Sequence, residues 1–338
     1  MSAVLRNPAA DRAAVPPVRR EAAAFHAALD GYAPTPVRTL RTLAAELGLR
    51  GVLLKDESDR LGLPAFKVLG AAWAVERALR AAPGTHTLVA ASAGNHGRAV
   101  AHVAAHRGVR CRVFLPARAL AARREAIAGE GADVVVVDGD YEAAVARAAA
   151  AGAEPGVLEI ADVGDPGGPP EWAIDGYATL FAEAAEQADH DTLLVPVGVG
   201  ALAAAAARHG AEAGVRVIGV EPVTAACLTA SLAAGRPVSV ATPGTTMAGL
   251  DCAEVSAAAW PSLHAGVHAT VTVDDAQVEA AVAELAAAGL AIGESGAAPL
   301  AALRILVREA PALAGERVLL IATEGRTGGT PIRRPRRA

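Results

Sequence analysis

Lys67 stands inside an apolar run, Leu63-Pro64-Ala65-Phe66-Lys67-Val68-Leu69-Gly70, at the point where a helix should begin. Val68, Leu69, Ala71, Ala72 and Trp73 flank it with apolar surface. Such surroundings disfavour an ammonium and leave an amine able to form a Schiff base with an aldehyde. The alternative is a helix-start lysine that snorkels to water. A second stretch, Ser92-Ala93-Gly94-Asn95-His96-Gly97, falls directly after an apolar strand pattern and opens a helix pattern. Backbone N–H groups and the positive helix end then face one crevice, where a carboxylate or phosphate would bind, with Ser92 and Asn95 adding side-chain hydrogen bonds. An ordinary cap by Ser92 or Asn95 is the competing reading. The third stretch, Gly198-Val199-Gly200-Ala201-Leu202, repeats the arrangement, with glycines that allow close backbone approach to a phosphate. Its rival is a dinucleotide fingerprint, because Gly198-x-Gly200-x-x-Ala203 is followed by Glu221 at the end of the next strand. That reading leaves Lys67, the Ser92 loop and Thr323-Glu324-Gly325 unused.

The elements that must hold these loops follow from periodicity. Helices are expected over 21–29 and 40–47, with the prolines of Gly31-Tyr32-Ala33-Pro34-Thr35-Pro36 forcing extended chain between them. Val52-Leu53-Leu54 reads as a short buried strand, and Lys55-Asp56-Glu57-Ser58 as a charged turn leading to the Lys67 helix. Strands at 87–91, 111–115 and 134–137 alternate with helices at 95–107, 117–128 and 140–151. Strands at 192–196, 215–220, 270–273 and 318–322 alternate with helices at 172–187, 201–213, 276–288 and 297–308. Short apolar strands separated by amphipathic helices imply parallel sheets covered on both faces. Glycines and prolines between Gly164 and Pro170 mark a lobe boundary.

Composition limits the rest. With 338 residues, more than half of them apolar, the chain can bury a large core in two lobes. Thirty-one Lys and Arg against 36 Asp and Glu give no electrostatic reason to bind nucleic acid or an anionic membrane. No apolar run reaches the ~18 to 20 residues of a membrane span, and no signal-peptide pattern is evident, so a cytoplasmic location is the default expectation. Cys111, Cys227 and Cys252 fit neither a disulfide framework nor a metal-ligand spacing, and no metal is expected; whether Cys227 and Cys252 meet is left open. The tail Arg333-Arg334-Pro335-Arg336-Arg337 reads as a frayed terminus.

Together, the stretches around Lys67, Ser92, Gly198 and Thr323 resemble the pyridoxal-phosphate enzymes of fold type II, the group of the tryptophan synthase β chain, cysteine synthase and the serine/threonine dehydratases. The resemblance implies an α/β fold of two three-layer lobes with mostly parallel sheets and the cofactor, pyridoxal 5'-phosphate, in the cleft between them. The large lobe would comprise 1–66 and 168–330, the small lobe 67–167, with 331–338 a basic disordered tail. It further implies that Lys67, next to Phe66, carries the cofactor and that Asn95 contacts the cofactor's phenolic oxygen. Ser92, Ala93, Gly94 and His96 would bind the substrate carboxylate; Gly198, Val199, Gly200, Ala201 and Leu202 would grip the phosphate; Thr323 would face the pyridine nitrogen.

Within the group the chain is most similar to diaminopropionate ammonia-lyase. The likeness rests on Phe25-His26, Gly31-Tyr32-x-Pro34-Thr35-Pro36, Lys55-Asp56-Glu57-Ser58, Ala65-Phe66-Lys67, Gly94-Asn95-His96-Gly97-Arg98, Pro196-Val197-Gly198-Val199-Gly200, Gly219-Val220-Glu221-Pro222, Thr246-Met247-Ala248-Gly249-Leu250, Gly293-Glu294-Ser295-Gly296-Ala297 and Thr323-Glu324-Gly325, in that order. It implies β-elimination of ammonia from 2,3-diaminopropionate to pyruvate and a second ammonia, in a homodimer acting on a small amino acid. Three departures qualify it, one being Arg326 where the family often has Asp after Thr323-Glu324-Gly325. Ala93 stands where that family carries an Asp credited with a role toward the D-substrate, as in a dehydratase. The segment that carries the second acid is shortened and rich in Gly and Pro from Gly164 to Pro170, so either Asp162 or Asp165 is that acid, or a solvated carboxylate. A dehydratase, a β-replacing enzyme or a cofactor-binding protein without turnover are the alternatives.

Overall fold

Strands that are apolar on both faces have to be covered on both faces, and parallel ones need helical crossovers to return the chain. The computed structural model, which describes residues 3–309 and 313–326, meets both requirements in two sheets. Its strands are β1 (Val4–Arg6), β2 (Val37–Thr39), β3 (Gly51–Asp56), β4 (Thr87–Ala90), β5 (Arg110–Pro116), β6 (Asp133–Val137), β7 (Val157–Glu159), β8 (Thr192–Pro196), β9 (Arg216–Pro222), β10 (Ala269–Val273) and β11 (Arg317–Ala322). A seven-stranded sheet runs β1-β10-β9-β8-β11-β3-β2, and a four-stranded sheet runs β6-β5-β4-β7. Only the edge strands β1 and β2 pair antiparallel; every other pairing is parallel.

The helices that close these sheets are α1 (Glu21–Ala27), α2 (Arg41–Glu46), α3 (Lys67–Ala81), α4 (Asn95–His106), α5 (Ala121–Ala128), α6 (Tyr141–Gly152), α7 (Pro169–Gln187), α8 (Ala201–Ala213), α9 (Cys227–Ala234), α10 (Trp260–Gly266), α11 (Asp275–Ala287) and α12 (Glu294–Glu309). Period-two alternation divides the large sheet's side chains between two cores. Leu193, Val195, Leu319 and Ile321 pack under α7 and α8, while Leu194 and Leu320 pack under α11 and α12. In the small sheet Leu88, Ala90, Val113 and Leu115 face α3 and α4, and Val89 and Phe114 face α6. The alanine-rich helices explain the scarcity of aromatic residues: Ala203 to Ala207 of α8 are all buried, so the helix sits close to its neighbours without large anchors.

Helix α3 belongs to both cores. Leu69 joins Phe66 and Tyr177 on the large-lobe side, while Val68, Ala71 and Ala72 join the small-lobe cluster. Its start is fixed by main-chain bonds to the segment after β11: Phe66 N donates to Thr323 O at 3.2 Å, and Gly325 N donates to Pro64 O at 2.9 Å. Buried His26 of α1 adds to this, with Nε2 2.9 Å from Leu69 O and Nδ1 2.8 Å from Thr179 Oγ1 of α7.

One expectation is overturned. Lys55-Asp56-Glu57-Ser58 is not a charged turn throughout: Lys55 and Asp56 end β3, and Lys55 and Glu57 are fully buried. Lys55 Nζ pairs with Glu183 Oε2 of α7 at 2.7 Å, and Arg60 Nη1 and Nη2 reach Glu183 Oε1 and Glu57 Oε1, each at 2.7 Å. Two cations balance two carboxylates, so each buried charge is compensated, the condition under which burial is tolerated. The network pins the approach to α3. Strands β1, β2 and β7 and helices α9 and α10 have no counterpart in the sequence expectations. The basic tail 331–338 lies outside the described residues.

Candidate active site

Three loops meet where the strands of both sheets end, at the start of α3. Lys67 opens that helix and is about one-fifth exposed, its Nζ 5.6 Å from the Phe66 ring centroid and 6.0 Å from that of Tyr177. The apolar flanks expected from the sequence are present: Val68, Leu69, Ala71 and Ala72 are buried. They do not leave the amine neutral, however. Asp162 Oδ2 lies 3.1 Å from Nζ, and although burial opposes the charge, the Tyr177 phenol and the Asp162 carboxylate hold the ammonium above its ordinary range. Asp162 responds in kind: burial works against its charge, but His96 and Lys67 overcome this and hold the carboxyl at about 2. The sequence left Asp162 and Asp165 open. The geometry separates them, since Asp162 meets Lys67 and Asp165 is exposed.

Ser92 to Gly97 bridges β4 and α4. Asn95 begins the helix, and its Nδ2 donates to Glu324 Oε2 across the cleft at 2.7 Å. Ser92 Oγ is occupied by Gly94 N at 3.2 Å. The His96 ring is buried and turned inward: Nε2 donates to Ile160 O at 2.7 Å, and Nδ1, with no hydrogen-bond partner among the described residues, lies 3.9 Å from Asp162 Oδ2. The imidazole therefore braces the Asp162 segment, and only its main-chain amide is left for a substrate. Ala93 contributes no polar group to the half-buried loop.

Gly198 to Gly200 joins β8 to α8. Gly200 caps the helix in the left-handed region at φ 91°, and among the described residues no side chain caps the amides of the first turn. Those free N–H groups, with the helix dipole behind them, suit a phosphate. A Cβ on Gly198 would lie 2.8 Å from Gly249 O and 3.1 Å from Cys252 Sγ, so the loop is as tight as its neighbours allow. The dinucleotide reading fails here on geometry. Glu221 is fully buried and caps α9, accepting from Leu228 N at 2.7 Å and Thr229 N at 2.8 Å, so it is not free for a ribose.

Thr323 follows β11 and is buried at the floor. Tyr177 Oη is buried without a hydrogen-bond partner among the described residues, beside Lys67. An orphaned hydroxyl costs about 1–3 kcal/mol, which a polar ligand between Lys67, Thr323 and the glycine loop would recover. An amine for an aldehyde, an uncapped helix start for a phosphate and a buried hydroxyl for a ring nitrogen fit pyridoxal phosphate. Sequence reasoning missed Tyr177, Glu324 and Cys252. Burial pushes the Cys252 thiol up to about 12, so it lines the site as a neutral group. Tyr141, 40% exposed at the start of α6, is also near enough for the Asp162 charge to act on it; partial desolvation first, and Asp162 next, hold its phenol above the ordinary range.

The comparisons with known proteins agree with that fit. A family model described as "Pyridoxal-phosphate dependent enzyme" matches residues 28–324. Diaminopropionate ammonia-lyase of Salmonella typhimurium is 32% identical over 92% of this chain and 89% of its own. The biosynthetic L-threonine dehydratase of Escherichia coli is 30% identical over 80% of this chain and 52% of its own length. Among solved structures, diaminopropionate ammonia lyase from Escherichia coli, in complex with an aminoacrylate-PLP azomethine reaction intermediate, superposes with a TM-score of 0.85 at 29% identity, covering 95% of this chain and 93% of that one.

Proposed function

Because the chain belongs to the pyridoxal-phosphate dependent enzymes, and within them to the diaminopropionate ammonia-lyases, we propose that it eliminates ammonia from 2,3-diaminopropionate, giving pyruvate and a second ammonia. The observation that carries this reading is the Lys67–Asp162 pair at 3.1 Å, set between a phosphate-binding glycine loop and the Asn95 loop. When bound, pyridoxal phosphate supplies an electron sink for the charge left at Cα when a proton is removed.

The protein's residues do the rest. Lys67 Nζ holds the cofactor, and the free amides at the start of α8, from Ala201 and Leu202 on, hold its phosphate. Amides of Ser92 to His96 orient the substrate carboxylate, and so the Cα–H bond, toward Lys67 and Asp162. Either Lys67 Nζ or Asp162 Oδ2 takes that proton. The β-amine leaves already protonated, so no strong acid is required beside it. Thr323, a hydroxyl, offers no stable negative charge to keep a ring nitrogen protonated, which favours elimination over transamination. With Ala93 in place of a second carboxylate, only one face of Cα has a base, and the L-isomer is the substrate. Family likeness supports a cytoplasmic homodimer, and the sheet composition is compatible with a large lobe of 1–66 and 168–330 and a small lobe of 67–167.

A dehydratase acting on a hydroxy amino acid is the second reading, favoured by Ala93 and the threonine dehydratase relative. The deciding experiment is pyruvate and ammonia release from L- and D-2,3-diaminopropionate, L- and D-serine and L-threonine by cofactor-loaded protein. Turnover of L-diaminopropionate with little D-activity is expected. Turnover of serine or threonine alone would move the protein to the dehydratases.

A further inference from the structure

Glu324 is a partly buried carboxylate that the reaction as derived does not use. Among the described residues no cation pairs with it; its polar partners are Asn95 and Ser295, and Glu294 nearby adds repulsion. Burial raises its carboxyl above the usual range. An acid withdrawn from water without a cation is costly even when only partly buried, so its position calls for a reason. Glu324 lies directly after Thr323 on the large-lobe side, and its bond partner Asn95 opens α4 on the small-lobe side. The backbone fixes Glu324 closely: Gly293 N donates to its carbonyl at 3.0 Å, and Ala65 bridges to it next to Lys67.

Glu324 Oε2 accepts from Asn95 Nδ2, which turns the nitrogen end of the Asn95 amide toward the carboxyl group. One N–H is then committed to Glu324 Oε2 at 2.7 Å. The second N–H has no other partner among the described residues and is presented in a known orientation. We propose that Glu324 is a positioning residue: it locks the Asn95 amide so that this second N–H meets an acceptor oxygen of the cofactor, and it ties the two lobes together at that point. The proposal deepens the site reading above and rests on Asn95 facing the cofactor.

The test is a double-mutant cycle read by cofactor affinity, with pyridoxal phosphate titrated into cofactor-free protein and followed by fluorescence and by the absorption maximum of the bound form. N95A and E324A should each weaken binding about tenfold, as loss of one hydrogen bond to a charged group does, and should shift the absorption maximum alike. The double variant should bind no more weakly than N95A, and E324Q, whose Oε1 still accepts, should stay within about threefold of the unaltered protein. Additive losses, an E324A variant with unaltered affinity, or an E324Q variant as weak as E324A would overturn the proposal. Unaltered binding by N95A would remove the placement of Asn95 itself, whereas weak binding by N95A with silence from E324A overturns the proposal alone. Should E324A fail to fold, E324L, whose side chain cannot accept a hydrogen bond, supplies the same decision: a loss of affinity matching that of N95A supports the proposal, and unaltered affinity overturns it.

Discussion

Replacing Asp162 by Asn should speed cofactor capture and slow turnover, two effects of opposite sign from one lost charge. Lys67 Nζ and Asp162 Oδ2 are 3.1 Å apart, with side chains 20% and 17% exposed. At an effective dielectric of ~20, unit charges at that distance attract by about 5 kcal/mol. Allowing half of this or a little more for water at the cleft mouth leaves about 2.0–2.7 kcal/mol, or roughly 30- to 100-fold in the protonation equilibrium of the amine. The sign follows from the causes acting on Lys67. Burial favours the neutral amine, and Asp162 is among the groups that hold the pKa up. In the cofactor-free protein the amine is therefore protonated through neutral pH, and capture accelerates as pH rises toward the raised pKa. In D162N one of the groups that hold it up is lost, the pKa falls, and more free base is present at neutral pH.

The assay is stopped-flow capture of pyridoxal phosphate by cofactor-free protein across the pH range, beside steady-state turnover of L-diaminopropionate. D162N should capture about 30- to 100-fold faster at neutral pH, with its pH profile displaced to the acid side. Its turnover should fall by about 10²–10⁴, the usual contribution of a positioned proton-transfer group. Unchanged capture with an unchanged pH profile would refute the electrostatic coupling. Fast capture with undiminished turnover would refute the role of Asp162 in proton transfer and leave Lys67 as the base.

Two further outcomes bear on selectivity and on packing. Ala93→Asp restores a carboxylate to the Ser92 loop and should raise D-diaminopropionate turnover by about 10²-fold or more relative to the L-isomer; an unaltered ratio would show that Ala93 does not set stereochemistry. Gly70→Ala would place a Cβ 2.4 to 2.8 Å from Tyr177 ring and hydroxyl atoms, overpacking that costs about 1–3 kcal/mol. A lowered thermal midpoint and weakened cofactor binding are expected together, and a variant as stable as the parent would contradict the packing at Tyr177.

The strand–helix alternation was legible because long parallel strands carry apolar side chains on both faces, and that pattern is local. Lys67 and the loops at Ser92 and Gly198 were legible for a related reason: each lies where a strand pattern gives way to a helix pattern. The three-residue strands β1 and β2 were not, since each is defined by its partner, Val4 by Val271 and Val37 by Lys55. Buried charge was the larger failure. Lys55 and Glu57 read as part of a charged turn until Glu183, more than a hundred residues away, is brought beside Lys55 and Arg60. Asn95 and Glu324 are separated by 229 positions, and nothing local in either stretch names the other.

The shortened chain around Gly164 had made Asp162 doubtful from sequence, and the structure shows what replaces the missing length. Ser256, on the approach to α10, holds Gly164 from both sides: Gly164 N donates to its Oγ at 3.2 Å, and Oγ donates back to Gly164 O at 3.1 Å. Ala258 N adds a bond to Gly164 O at 2.9 Å, and Ser256 N donates to Val199 O at 2.9 Å inside the glycine loop. A truncated loop two residues beyond Asp162 is thus clasped to the same segment that shapes the phosphate site. A long loop would position an acid by its own packing; a short one of glycine and proline cannot, having few side chains to pack, and must borrow its position from elsewhere. Ser256 is that anchor, joining the segment that carries Asp162 to the Gly198–Gly200 loop through hydrogen bonds on both sides.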